Sequence, residues 1–175
     1  MTGLEHRSPH VAWLACLYSV LSKVRREGLM AIEMDVESPE RKESIFSRYP
    51  LVMKQPYLDF ARDILRLMLG GMLESKDLDL YSRAAIDGMS KRRFFRKADR
   101  SLLELIALTL RMAAVGYGPQ VACEFGRQAI PAAKRPSFGA LEELLKEQDG
   151  IRRSPGGEVR NFEEEVERFV QSLGS

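Results

Sequence analysis

The strongest constraint on this chain is a spacing. Apolar residues recur three and four positions apart in one stretch after another, and each stretch is closed by proline, glycine or a capping residue. That period lays a stripe along one face of an α-helix. Strands would need alternation with β-branched enrichment, which is absent. Leu14, Leu17, Leu21, Val24, Gly28 and Ile32 predict one long helix over 9–35. Gly28 lies in that stripe, where glycine costs about 1 kcal/mol relative to alanine. Its place there predicts a close backbone approach by a neighbouring helix.

Punctuation sets the remaining elements. Ser38-Pro39-Glu40 reads as a helix start, with a cap, a proline at the first position and an acid at the positive end of the dipole; Tyr49-Pro50 should end that helix early. Pro56 opens a third helix with Tyr57, Phe60, Ala61, Ile64 and Met68 inward, closed by Gly70-Gly71. Ser75 or Asp77 caps a fourth, whose apolar side is Leu78, Tyr81, Ala85 and Met89. After a basic run, Asp99 or Ser101 opens a helix apolar around most of its circumference through about Val115. Such a helix is either the centre of the fold or faces a neighbouring subunit. Gly118-Pro119 starts another that reaches Ile130. Ser137 caps Phe138–Glu147, with Phe138, Leu141, Leu144 and Leu145 inward. Arg152 to Gly157 reads as a flexible link. Beyond it, Asn161 and Glu164 fit a capping box, and Phe162, Val166, Phe169, Val170 and Leu173 form a stripe. The reading is all-α: a compact helical domain of about six to seven helices over 1–150, then a linker and an amphipathic terminal helix over 151–175.

Apolar residues at 45%, charged residues at 30% and a net charge of +2 describe an ordinary globular chain and give no footprint for nucleic acid. A membrane-spanning helix needs about 20 mostly apolar residues. The uncharged stretch Ser8–Ser22 is too short, and Leu102–Cys123 is interrupted by Glu104, Arg111, Gly116, Gly118 and Pro119. The expectation is a soluble chain, or one that skims a membrane. Cys16 and Cys123 have no metal or disulfide spacing and read as buried thiols in a reducing compartment. His6 and His10 read as a surface terminus, because Pro9 between them spoils helical metal-ligand geometry. There is no phosphate loop and no nucleophile motif, so no enzyme, metal or cofactor is expected. Glu124 and Arg127 are expected to pair along one helix face.

Two polar features carry interaction readings. The run Lys91, Arg92, Arg93, Phe94, Phe95, Arg96 and Lys97 is a solvated turn, a contact for an anionic membrane surface, or, last in rank, a site for single-stranded nucleic acid. Arg25 and Glu33, on one continuous helix, would be separated by about 12 Å of rise and project from the same half. Opposite charges displayed together, too far apart to neutralise each other, suit a partner with its own alternating charges.

Several segments, in order, resemble one family. Arg25-Arg26-Glu27-Gly28-Leu29-Met30-Ala31-Ile32-Glu33, Glu37-Ser38-Pro39, Ile45-Phe46-Ser47-Arg48-Tyr49-Pro50 and Asp59 to Met68 are similar to the cytoplasmic loop of MotA proteins, the A subunits of the bacterial flagellar stator. Pro119 to Arg127, Arg135-Pro136-Ser137-Phe138 and Leu141-Glu142 resemble the segment after that family's last membrane helix. The resemblance implies a ring of A subunits around a MotB-like B-subunit dimer in a full-length parent at the inner membrane. It implies a cytoplasmic loop that transmits torque to the rotor protein FliG, with the loop arginine at Arg25 and the loop glutamate at Glu33. The family's membrane helices have no counterpart before Val11 or near 88–100, where the basic run stands as a membrane-edge sequence would. This chain alone would then not conduct ions. It would be either the cytoplasmic part of a stator subunit or a soluble relative with a scaffold or regulatory role at the inner membrane face.

Overall fold

The computed structural model describes residues 8–71, 74–92 and 95–153. Among them there are seven α-helices and no strand: α1 Pro9–Glu27, α2 Glu33–Glu37, α3 Tyr57–Leu69, α4 Ser75–Ser90, α5 Lys97–Val115, α6 Pro119–Gln128 and α7 Phe138–Arg153, with short 3-10 turns at Leu29–Ile32, Phe46–Arg48 and Ala132–Lys134. The terminal amphipathic helix expected beyond residue 157, and His6, lie outside the described residues.

Helix α5 is the centre. It packs against α1, α3, α4 and α6, and Leu102, Leu103, Leu105, Ile106 and Leu110 are buried on several sides of it. Its near-complete apolar circumference is therefore accounted for within one chain. Trp13, Leu14, Leu17 and Val20 of α1 fill the same core, as do Ile64 and Leu65 of α3 and Leu141, Leu144 and Leu145 of α7. Helices α4 and α5 form an antiparallel hairpin. Asp79 pairs with Arg111 and Asp87 with Arg100, so residue numbers fall on one helix as they rise on the other.

Local chemistry explains most boundaries. Pro9 and Pro119 occupy first-turn positions, where a missing N–H costs nothing. Arg96 precedes α5, and the Asp99 carboxylate accepts its backbone N–H at 2.8 Å in a capping box; the helix thus begins two residues before Asp99. The Ser137 hydroxyl accepts from Ala140 N at 3.1 Å, as the cap at α7 predicts.

Five expectations are corrected. The helix over 9–35 is broken at Gly28, whose φ of +89° ends α1. No heavy atom lies within 4 Å of where a Gly28 Cβ would stand, so this glycine serves the turn and not a helix contact. No helix starts at Ser38-Pro39. Residues 38–45 are turns, because the Asp35 carboxylate reaches across to accept Ile45 N at 2.8 Å and folds the segment back. Phe138, at the first position of α7, is exposed, although Leu141, Leu144 and Leu145 are inward as expected. Helix α7 also continues through Arg152 and Arg153, where a link was expected.

Candidate functional site

Arg25 lies in the last turn of α1 and Glu33 opens α2. With Gly28 turning the chain between them, the rise and angle calculated for a single helix do not apply; the two charges stand on separate elements around one corner. Both side chains are exposed.

The corner carries five charges within eleven residues, and the fold sorts them. Lys23 donates to Asp35 at 2.8 Å. Arg26 and Glu27 pair with each other at 3.2 Å. Arg25 and Glu33 have no ion pair among the described residues. Arg25 instead lies along the start of α6: a Cβ added to Gly118 would stand 2.6 Å from its Nη1. Only a residue without a side chain leaves the guanidinium that path.

Helix α2 is short, and it is held from both sides. Asp35, 4% exposed, ties it inward to Lys23 and Ile45. Arg62 donates to the carbonyls of Val36 at 2.6 Å and Glu37 at 3.2 Å, placing a cation at the negative end of the helix. Arg66 grips the Glu37 carboxylate with two bonds of 2.8 and 3.1 Å and holds it below the usual carboxylate range. Glu33 is thus presented by a fixed element. Asp35 is the residue that sequence reasoning missed, because an aspartate among charges gives no sign that it is buried.

The basic run is mostly structural where it is described. Phe95 packs against the core, and Arg96 bonds Asp99, which also accepts from Tyr57 at 2.6 Å. Burial opposes ionisation of Asp99, but the bonds from Tyr57 and Arg96 prevail and lower its pKa. Burial, then Asp99, pushes the Tyr57 hydroxyl up to about 12. Lys91, Arg92 and Lys97 are exposed, while Arg93 and Phe94 lie outside the described residues.

Elsewhere the structure closes candidate chemistry inward. His10 is buried, sharing a 2.8 Å hydrogen bond with Ser101, and burial and Lys134 lower its pKa; it is not the surface histidine expected. Both cysteines are buried, and burial raises their pKa values. Glu124 and Arg127 pair as expected, through two bonds of 2.7 Å, and Arg127 also donates to Pro136 O at 2.7 Å, fastening the α6–α7 connection. A groove of about 540 Å³ between α4, α5 and the end of α6 was not legible beforehand; its Arg83, Arg100 and Arg111 are all matched by Asp79, Asp87 and Glu104. Among the described residues no group of three or more His, Cys, Asp or Glu side chains could hold a metal ion, and no helix is long and apolar enough to cross a membrane.

These elements define a small all-helical protein that places on its surface two opposite charges without ion pairs among the described residues. The motility protein A of Salmonella typhimurium is 26% identical over 211 aligned positions, covering 80% of this chain and 71% of that protein. The motility protein A of Escherichia coli is 26% identical over 204, covering 76% and 69%. The chain is a relative of the motility protein A family. A histidine biosynthesis bifunctional protein of Xylella fastidiosa is 31% identical over 125 positions, covering 64% of this chain and 60% of that protein. No family model matches, and no solved structure does.

The two motility protein alignments share one feature. The first spans 211 positions but 80% of 175 residues, which is 140, so about 71 positions of the relative face no residue here. The second, 204 positions against 76% or 133 residues, leaves about 71 as well.

Proposed function

We propose that this chain is the cytoplasmic part of a MotA-like stator subunit, acting at the cytoplasmic face of the bacterial inner membrane and engaging the rotor protein FliG through Arg25 and Glu33. Its role is mechanical contact and not catalysis, and in this form it does not conduct ions. The observation that carries the reading is the sorting of charge at the α1–α2 corner. Lys23, Arg26 and Glu27 are matched within the chain, whereas Arg25 and Glu33 are exposed and left without ion pairs among the described residues. Exposed charges of this kind supply encounter rate and register more than affinity, which suits a contact made and broken repeatedly.

The unmatched positions of the two relatives, about 71 in all, support the same reading, since two membrane helices of about 20 residues each and their connections fit within that number. In a parent retaining those helices, a B subunit and further copies of the chain would be partners, and Lys91, Arg92 and Lys97 would lie at the membrane edge. Residues 1–150 would form the stator-like unit and 151–175 an appended segment. The same count fits a second reading, a soluble relative with a scaffold or regulatory role at the inner membrane face.

The test is reversal of each charge. Arg25→Glu and Glu33→Lys should each weaken salt-sensitive binding to FliG, and both should impair swimming when placed in the full-length parent. Each should leave folding stability within about 0.5 kcal/mol, as exposed sites do. Unchanged binding and unchanged salt dependence in the doubly reversed protein, with the fold intact, would refute the assignment.

A further inference from the structure

Helix α6 is apolar on two faces. Ala122, Cys123 and Gly126 face the core. On the other side Val121 and Phe125 are 45% and 39% exposed, and they continue into Tyr117 at 50% and Val115 at 53%. The Tyr117 and Phe125 rings lie 5.8 Å apart, tilted by 39°, so these two side chains form one joined surface. Arg25 borders it, laid along Gly118 beside Tyr117.

We infer that this corner is a docking face for an amphipathic helix of a partner protein, one that carries an acidic residue next to its apolar stripe. The inference rests on the reading of Arg25 given above and adds the apolar half of the same contact. Val121 and Phe125 are four residues apart, about 6 Å along the helix, the spacing at which a partner helix presents its own i and i+4 anchors. The cation at the rim has no ion pair among the described residues, so an approaching carboxylate meets a guanidinium that no internal acid has matched. Such a charge beside a desolvated apolar patch sets register, while the patch supplies residence.

Two other occupants fit less well. An anionic membrane draws on clusters of about four to eight cations, and here Lys23 and Arg26 are taken by Asp35 and Glu27. A second copy docked by two-fold symmetry on this same face would bring two Arg25 side chains, neither with an ion pair among the described residues, into one drying interface.

Binding of the whole chain to FliG, titrated across salt, tests the inference with Val121→Ser/Phe125→Ser, with Val121→Glu as an independent variant, and with Arg25→Glu. Both patch variants should weaken binding by about tenfold or more, as loss of a central apolar anchor does. Val121→Ser/Phe125→Ser should keep the parent's salt dependence; Arg25→Glu should flatten it. Patch variants that bind as the parent does, beside an impaired Arg25→Glu, would overturn this docking face and leave the charged contact standing. If all variants bind as the parent does, both readings fall. Patch variants that bind FliG normally but lose flotation with phosphatidylglycerol–phosphatidylethanolamine vesicles, or lose a concentration-dependent dimer, would assign the face to a membrane or to a second copy and overturn the inference.

Discussion

Replacing Gly126 by alanine should destabilise the protein, even though alanine is the better helix former. Gly126 sits in α6 where it crosses α5. A Cβ there would stand 2.0 Å from Thr109 Oγ1, 3.2 Å from the Leu105 carbonyl oxygen and 3.3 Å from Leu14 Cδ2. Thr109 is fully buried, and its hydroxyl donates to Leu105 O at 2.8 Å. A β-branched side chain in a helix has few rotamers to retreat into, and moving the hydroxyl gives up its hydrogen bond, worth about 1 kcal/mol. The carbonyl belongs to the α5 backbone and yields only if the helices separate. Overpacking of this kind costs about 1–3 kcal/mol, and the gain in helix propensity returns about 1 kcal/mol. The net expectation is a loss of about 1–3 kcal/mol, read from urea unfolding followed by circular dichroism with m held constant. Thr109→Ala removes the most obstructive atom. The double variant Thr109→Ala/Gly126→Ala should therefore be more stable than the sum of the two single losses predicts, by about 1 kcal/mol. A Gly126→Ala protein as stable as its parent or more so, showing the propensity gain alone, would refute the close approach of α5 and α6 described here.

Two further outcomes follow from buried polar groups. Asp35→Ala should cost about 2–4 kcal/mol, because it leaves Lys23 without its ion pair and the Ile45 N–H without an acceptor in a buried setting; thermal unfolding measures it, and a loss under about 0.5 kcal/mol would show that residues 38–45 do not depend on this carboxylate. The folded pKa of His10 lies below its ordinary 6.5, through burial and Lys134, so the unfolded chain binds the proton more readily. The stability that neutral His10 secures is present above about 6.5 and is lost as pH falls through the lower folded pKa. Urea titrations between pH 7.5 and pH 5 should show this loss, and His10→Gln should flatten it within that window. Glu37, Asp99 and Glu124, all held below their ordinary values, contribute in a more acidic range.

Much of the helix plan was legible because its signals are local. Pro56, Gly70-Gly71, Gly118-Pro119 and Ser137 act within a turn of where they stand, and α3, α6 and α7 begin or end beside them. The Glu124–Arg127 pair is local too, closing over three residues of one helix. The two glycines show where that reach stops. Gly28 and Gly126 both sit on apolar stripes, and the spacing alone assigned a helix contact to Gly28; the structure gives Gly28 the turn and Gly126 the contact.

What the sequence determined by itself is the all-helical class and the order of its long helices, since periodicity and capping depend on neighbours within four residues. Tertiary structure alone decided which polar groups would be consumed. His10 meets Ser101 across 91 residues and Tyr49 meets Gln148 across 99. Asp35 is buried only once residues 38–45 fold back over it. The same packing withdraws Lys23 into a pair with Asp35 and leaves Arg25 and Glu33 facing outward, because a charge is neutralised by what comes within about 4 Å of it, however distant along the chain.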